Sequence, residues 1–160
     1  RDRYLGYDTE RIDDLAAATE APILVKADGA RTRWLKAPAS DEPQVPATSD
    51  LVVPVASVRA VGKPIDDEHV HRPERVASLL DRPVGSQIRP TDIVRVLRDE
   101  RGGLKGIPDS ARVVPLLNMV DDDDLESVAE AMAVDLLVDE RIDRVVLGRM
   151  DRGEALAVIA

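Results

Sequence analysis

Short aliphatic runs alternate along the chain with segments whose apolar residues recur every three or four positions. The runs have the length of buried strands, and the periodic segments have the spacing of helices with one apolar face. The predicted strands are residues 23–25, 51–55, 113–117, 142–147 and 155–159. The predicted helices are residues 10–19 capped by Thr9, a helix opening at Pro73 with Val76, Leu79 and Leu80 inward, a helix capped by Thr91 and ended by Gly102 and Gly103, and a helix led by the aspartates 121–124. This alternation predicts an α/β domain over residues 1–160, with three layers and a mostly parallel sheet.

Two polar segments separate these elements. Residues 29–50 contain Pro38, Pro43 and Pro46, which remove backbone donors and predict a long loop. Loops of that length within one domain are more often functional than idle. Residues 62–72 are predicted to be a polar connection.

Composition excludes several classes of function. Lys and Arg number 22 against 31 Asp and Glu, so the net charge is −9 and nucleic acid would be repelled. The absence of cysteine excludes disulfides, iron–sulfur clusters and thiolate zinc sites. Because no apolar run approaches the roughly 20 residues of a membrane span and no signal pattern follows Arg1, we expect a cytoplasmic protein with no membrane partner.

The charged residues are also skewed, with 21 Asp to 10 Glu and 18 Arg to 4 Lys. Adaptation to high salt would favour acidic side chains that keep the surface hydrated. A high-GC genome would favour arginine over lysine as well, so the two interpretations stay open.

Asp28 stands at the end of the predicted strand 23–25. Ligands of parallel α/β sheets bind at the carboxyl edge, where a carboxylate commonly holds Mg²⁺ directly or through water. The alternative is a turn in which Gly29 supplies a positive φ.

Asn118 and Asp121 follow another predicted strand. Their spacing is that of the Asn-Lys-x-Asp element of guanine-nucleotide-binding proteins, in which the Asp accepts hydrogen bonds from the base, although Met119 stands at the Lys position. Asp121 could equally cap the following helix.

Arginines and histidines surround the proline-containing loop. Arg31, Arg33, Lys36 and Arg72 are candidates for an anionic ligand, or for salt bridges to an acidic surface. His69 and His71 lie near Asp66–Glu68 and could hold a metal, but they form no complete ligand spacing, so a solvated loop is the plainer interpretation. Residues 102–106 contain glycine and Lys105 without the spacing of a phosphate loop, and they fit a helix end or a ligand-touching loop about equally well. Trp34 fits a loop anchor better than a stacking platform.

Several of these segments occur together in a fixed order. They are residues 25–31 (VKADGAR), 35–39 (LKAPA), 42–43 (EP), 62–64 (GKP), 69–74 (HVHRPE), 102–108 (GGLKGIP) and 117–121 (LNMVD). The series, from about Gly6 to Gly148, resembles the YqeC family of selenium-dependent hydroxylase accessory proteins. That family is similar to P-loop nucleotide-binding proteins and is associated with maturation of selenium-containing molybdenum hydroxylases.

The resemblance implies a set of roles. Asp28 would place Mg²⁺, and Asn118 and Asp121 would approach the base of a nucleotide, GTP or ATP. The substrate or partner side would comprise Arg31, Lys36, Glu42, His69, His71, Arg72 and Lys105. The implied partner is a molybdenum hydroxylase or a cofactor-synthesis protein.

This chain departs from the family pattern at several places. Lys26 stands where the family has Glu, Ser40-Asp41-Glu42-Pro43 replaces Glu-His-Glu-Pro, and the family's Gly-rich phosphate loop does not occur before Asp28. The expectation is therefore the C-terminal majority of a longer P-loop-like protein, without its N-terminal phosphate loop. It would be a Mg²⁺-dependent NTPase only if that loop lies upstream. A non-catalytic module that docks on a hydroxylase or cofactor-synthesis partner is the alternative, and a hydrolase built on Asp28 and the two histidines ranks below both.

Overall fold

A computed structural model describes residues 6–160, and it contains four helices and eight short strands over that range. The helices are α1 (Thr9–Ala17), α2 (Pro73–Leu80), α3 (Pro90–Arg98) and α4 (Asp123–Leu136). The strands are β1 (Leu35–Lys36), β2 (Leu51–Val52), β3 (Val55–Ser57), β4 (Val70–His71), β5 (Arg112–Val113), β6 (Leu116–Asn118), β7 (Val145–Arg149) and β8 (Glu154–Ile159). A 3-10 turn at Val58–Ala60 follows β3.

The strands pair in parallel, except for the hairpin of β7 and β8. One ladder has the order β3-β6-β7-β8, and the pairs β1-β4 and β2-β5 complete the set. The N–H groups of Arg112, Val114 and Leu116 donate to the carbonyls of Asp50, Val52 and Pro54, so β2 leads directly into β3 and β5 into β6. The N–H of Ser57 donates to the Trp34 carbonyl, which places β1 beside β3. The carboxyl ends of β3, β6 and β7 therefore share one edge, and those of β1 and β4 lie side by side in their own parallel pair.

Helices α2, α3 and α4 lie on one face of these strands. Helix α4 packs on β7 and on α3, while α3 contacts β3 and α2 contacts β1. The side chains on this face, Ala56, Leu117 and Leu147, are at most 1% exposed. The mixed α/β architecture with mostly parallel strands is as predicted, but residues 6–160 supply no helix layer for the opposite face.

The predicted helices are confirmed, with different caps. Asp8 caps α1 by accepting from the Arg11 N–H at 2.8 Å, so Thr9 is already helical. Helix α3 begins at Pro90 after Arg89, and Thr91 is not its cap. Its first turn is held instead by Asp92, which accepts from the Arg89 N–H at 2.8 Å. Asp122 caps α4, so the interpretation of Asp121 as the cap is wrong.

The predicted strand 23–25 is wrong. Ile23, Leu24 and Val25 are 38, 98 and 42% exposed and form no ladder. A strand needs a neighbour for its backbone N–H and C=O groups, and none of the described residues provides one here.

Other strand boundaries also change. The predicted strand 51–55 is interrupted before Pro54 and continues to Ser57, and 113–117 divides in the same way into β5 and β6. The fourth strand begins at Val145 rather than Ile142, whereas the fifth forms as β8. Strands β1 and β4 lie in the predicted loop 29–50 and connection 62–72. Two-residue strands are too short to show an alternating pattern.

Candidate functional site

The candidate site lies at the carboxyl edge, where the proline-containing loop crosses the ends of β1 and β4. Lys36 is the last residue of β1, His71 is the last residue of β4, and Arg72 immediately precedes α2. The loop brings Glu42 between Lys36 and Arg72. The site is thus assembled from segments far apart in the sequence.

Glu42 is the central carboxylate of this network. It accepts hydrogen bonds from Lys36 Nζ at 2.7 Å and from both terminal nitrogens of Arg72 at 2.6 and 3.2 Å. The Arg72 hydrogen bond lowers the Glu42 pKa to about 2, with a smaller contribution from Lys36 and an opposing one from burial. Glu42 therefore stays ionised under all ordinary conditions and fixes both cations.

Lys36 extends the network to Asp28. Its Nζ lies 2.8 Å from Asp28 Oδ2 and donates to the Gly29 carbonyl at 3.2 Å. The Asp28 carboxylate is thus already neutralised by an ammonium group. The alternative turn interpretation is wrong in its detail, because Gly29 does not have a positive φ; Arg31 and Thr32 adopt the left-handed conformation instead, at 49° and 67°.

Arginines surround a cavity of about 300 Å³ beside this network. Its lining residues are Arg31, Arg33, Asp67, Val70, His71, Arg72 and Glu74. Three guanidinium groups face two carboxylates, in a chain with a net charge of −9. Burial lowers the pKa of His71, and the nearby charges of Arg72, Lys36 and Arg31 lower it further. His71 therefore remains neutral to lower pH than a free histidine.

Lys105 clamps the loop that carries Glu42. Its Nζ donates to the carbonyls of Ala39, Ser40 (3.1 Å) and Glu42 (2.6 Å). Lys105 lies in the segment 102–106, so this segment is a helix-terminating loop that also supports the site. Its side chain acts on the backbone of the Glu42 loop.

Lys105→Met should lower the free energy of unfolding by about 2 kcal/mol, because hydrogen bonds from a charged donor are lost while the aliphatic stem is kept. Urea unfolding measures this change. Lys63→Met is the matched control, since Lys63 is exposed and its side chain makes no hydrogen bond or ion pair within residues 6–160. Equal stabilities of the two variants would mean that the clamp contributes nothing.

His69 belongs to a different group from His71. Its Nδ1 lies 2.8 Å from Asp66 Oδ1, and its ring contacts Trp34 with centroids 5.2 Å apart. Asp66, Glu68 and His69 bring ligand-type atoms within 4.8 Å of one another. Asp66 is occupied by hydrogen bonds from His69 and from the backbone N–H groups of residues 68 and 69, which lower its pKa. Trp34 thus packs on a histidine.

Asn118 is the last residue of β6, and Asp121 follows three residues later. The Asn118 side-chain oxygen accepts from the Met150 N–H at 3.0 Å, which ties β6 to the β7–β8 hairpin. Asp121 forms an ion pair with Arg59, which follows β3. Asp121 lies just beyond the end of β6, whereas Asp28 follows no strand, because residues 23–25 form none. Each of the two carboxylates is already paired to a cation.

Sequence reasoning missed several contributors to the site. Glu74 lines the arginine cavity, and Arg59 pairs with Asp121. Asp67, predicted only as one of the acids near the two histidines, also lines this cavity. Position gives a signal for Arg59, because it closely follows the aliphatic strand β3, as Asp121 closely follows β6. Glu74 occurs in the segment 69–74 that carries the resemblance, but no role was predicted for it, and it reaches the cavity from the first turn of α2.

Within residues 6–160, no helix combines the length and the apolarity needed to cross a membrane.

Comparisons with known proteins support the resemblance drawn from the ordered segments. Residues 1–74 match the family described as YqeC protein. The chain is also 28% identical over 153 residues to a protein of Escherichia coli (strain K12) described as "Uncharacterized protein YqeC". The match covers 95% of this chain and 59% of the relative, so the chain spans about three-fifths of the relative's length. No solved structure matches it. The chain is therefore similar to YqeC along nearly its whole length.

Proposed function

We propose that this chain is the ligand-facing part of a YqeC-type cytoplasmic accessory protein for maturation of selenium-dependent molybdenum hydroxylases, with a P-loop-like fold. Its site binds an anionic ligand of nucleotide type at the carboxyl edge of the strands. The biological role rests on the similarity to YqeC. The anionic class of the ligand rests on the site itself.

The arginine cavity is the observation that carries the proposal. Arg31, Arg33 and Arg72 converge on one space, and guanidinium groups bind phosphate or carboxylate oxygens in pairs. Arg31 makes no ion pair with a carboxylate among the described residues, while Glu42 holds Arg72 in place. Arg72 is therefore already oriented, and Arg31 is available to pair with an anion. An anionic ligand can bind tightly here because little side-chain reorganisation is needed.

The neighbouring residues extend this pocket into a nucleotide site. Lys36 would exchange Asp28 for a phosphate oxygen, which would free the Asp28 carboxylate to hold Mg²⁺ directly or through water. Asn118 and Asp121 would approach the base of the nucleotide. Mg²⁺ would neutralise phosphate charge when bound.

One observation favours a second function, a non-catalytic module that docks on a hydroxylase or a cofactor-synthesis protein. Asp28 and Asp121 are both paired with cations, and Lys26 and Met119 replace the acidic and cationic residues of the family pattern. In that function the arginine cavity would receive a carboxylate side chain of the partner.

Calorimetric titration with GTP and ATP, with and without Mg²⁺, tests the nucleotide site. We expect Arg31→Ala to weaken binding by about tenfold, equivalent to the loss of one charge-assisted contact. Asp28→Ala should weaken only the Mg²⁺-dependent part. Arg152→Ala is the matched control, because Arg152 is an exposed arginine in the β7–β8 turn.

The outcomes separate the two functions. If neither nucleotide binds and the chain instead captures a hydroxylase through Arg31, the docking module is correct. If Arg31→Ala and Arg152→Ala bind nucleotide equally well, the arginine cavity is not the site.

A further inference from the structure

The face of the strands opposite to α2, α3 and α4 is aliphatic. Register places Val55, Leu116, Val146 and Val158 in one row that crosses β3, β6, β7 and β8. Val55 and Val158 are 56 and 57% exposed, and the two between them are half-buried. We call this row, together with the neighbouring residues Leu51, Val53 and Val114, the outer face.

The outer face continues along β2 and β5. The alternation of side chains puts Leu51 and Val53 on the same side as Val55, and they are 46 and 45% exposed. Val114 lies on this side because backbone hydrogen bonds at every second residue, from Arg112, Val114 and Leu116, connect β5 to β6 in the same alternation. Contiguous apolar patches of this kind mark interaction surfaces.

Parallel strands are normally covered on both faces, because the aliphatic side chains on each side must be buried. Here α2, α3 and α4 all cover the same face, the one that carries Ala56, Leu117 and Leu147. Helix α1 is not a cover either, since it has no buried residue and makes no extensive contact with another described element. The described residues therefore form two layers, the strands and one layer of helices, and the second face of the strands has no cover among them.

The rim of the outer face indicates the chemistry of its cover. Arg112 stands in register with Leu51, and Arg144 precedes β7 two positions before Val146. Both are exposed, and neither side chain forms an ion pair within residues 6–160. An aliphatic surface with a basic rim is complementary to an amphipathic helix with an aliphatic stripe and acidic flanks.

The length of the E. coli relative indicates where such a helix could come from. The E. coli relative has about two-fifths of its chain outside the match, enough for several helices. The exposed run Ile23–Val25 is a second apolar segment that lacks a neighbour among the described residues.

We propose that the outer face is the docking surface for an acidic amphipathic helix supplied by further polypeptide of the natural gene product, beyond residues 1–160. This helix forms the third layer of the domain. The inference is independent of the ligand of the arginine cavity.

Thiol labelling tests this proposal cleanly, because the chain has no cysteine. Val55→Cys and Val158→Cys place a thiol on the outer face, and Val134→Cys on the 62%-exposed side of α4 is the matched control. In residues 1–160 expressed alone, all three thiols should react with a maleimide at similar rates. In the complete natural gene product, the two outer-face thiols should react at least tenfold more slowly, and Val134→Cys should be unchanged.

Three results would overturn the proposal. The first is a natural gene product with no polypeptide beyond these 160 residues, and the second is equal labelling of all three thiols in a longer product. The third is protection already present in residues 1–160 that disappears on dilution, which would mean that a second copy covers the face. Circular dichroism of each variant confirms that labelling reports on folded protein.

Discussion

Glu42→Gln is expected to lower the free energy of unfolding at pH 7 by about 3 kcal/mol. The Glu42 pKa is about 2, against an ordinary 4.5, because Arg72 and Lys36 stabilise its charged form. Each pKa unit corresponds to about 1.4 kcal/mol, and the Glu42 side chain is only 24% exposed, so solvent screens the network weakly. The variant also leaves Lys36 and Arg72 facing a neutral amide.

The stabilisation that Glu42 provides is expected to decrease at low pH. A carboxylate whose pKa is lowered by folding contributes its full stabilisation above the unfolded pKa, and loses it as the pH falls through the folded one. The difference between wild type and Glu42→Gln should therefore be constant above about pH 5, and should shrink from about pH 4.5 to about pH 2.

Urea unfolding at several pH values measures both effects. Glu130→Gln is the control, because Glu130 is exposed on α4 and makes no side-chain hydrogen bond or ion pair among residues 6–160. If the two variants had the same stability at pH 7, or profiles of the same shape, the network around Glu42 would be an exposed surface cluster of little energetic weight.

The helices could be predicted because their signals are local. Pro73 opens α2, and the spacing of Val76, Leu79 and Leu80 fixes its buried face. Cap positions were less accurate, since several neighbouring residues can accept the same N–H groups. For example, the N-cap of α1 is Asp8 and not the neighbouring Thr9.

Strands depend on partners, and this limits what their sequence can reveal. Residues 23–25 and 113–117 both read as aliphatic strands, yet only the second finds neighbours in the described chain. Strands β1 and β4 show the reverse case. They are too short to be recognised, and they form because they pair with each other in parallel.

Some parts of the candidate site could be predicted from the sequence, and others could not. Asn118 could be placed at the carboxyl end of a parallel strand, with Asp121 just beyond it, because the aliphatic run before them pairs as β6. Asp28 could not be placed in this way, since the run before it forms no strand. The contact of Glu42 with Arg72 joins residues 30 positions apart and depends on the path of the proline-containing loop. No local sequence pattern indicates the path of this loop, so the hydrogen bonds around Glu42 could not be predicted from the sequence.

Gly102→Ala is the second substitution with a large expected effect. A Cβ at this position would overlap the Val96 carbonyl oxygen and lie 3.1 Å from the carbonyl carbon. The obstacle is backbone, and it is fixed, since the Gly103 N–H donates to that same carbonyl at 2.8 Å and the Gly102 N–H to the Asp99 carbonyl at 2.8 Å. The chain after α3 must therefore move, and we expect a loss of about 3 kcal/mol.

This displacement should also reach the site. The loop that begins at Gly102 carries Lys105, whose ammonium group holds the backbone of Ala39–Glu42, and Glu42 in turn orients Arg72. Gly102→Ala should consequently weaken binding in the arginine cavity even under conditions where the variant remains folded.

Gly29→Ala is the matched control for this prediction. Gly29 stands beside Asp28 without a positive φ, and the nearest atom to a new Cβ is Lys26 Cε at 3.6 Å, an ordinary contact with a flexible side chain. Its stability should change by less than about 0.5 kcal/mol. Urea unfolding of both variants decides the matter: if Gly102→Ala were as stable as Gly29→Ala, the turn after α3 would be pliable, and Lys105 could not be the rigid support that positions Glu42 against Arg72.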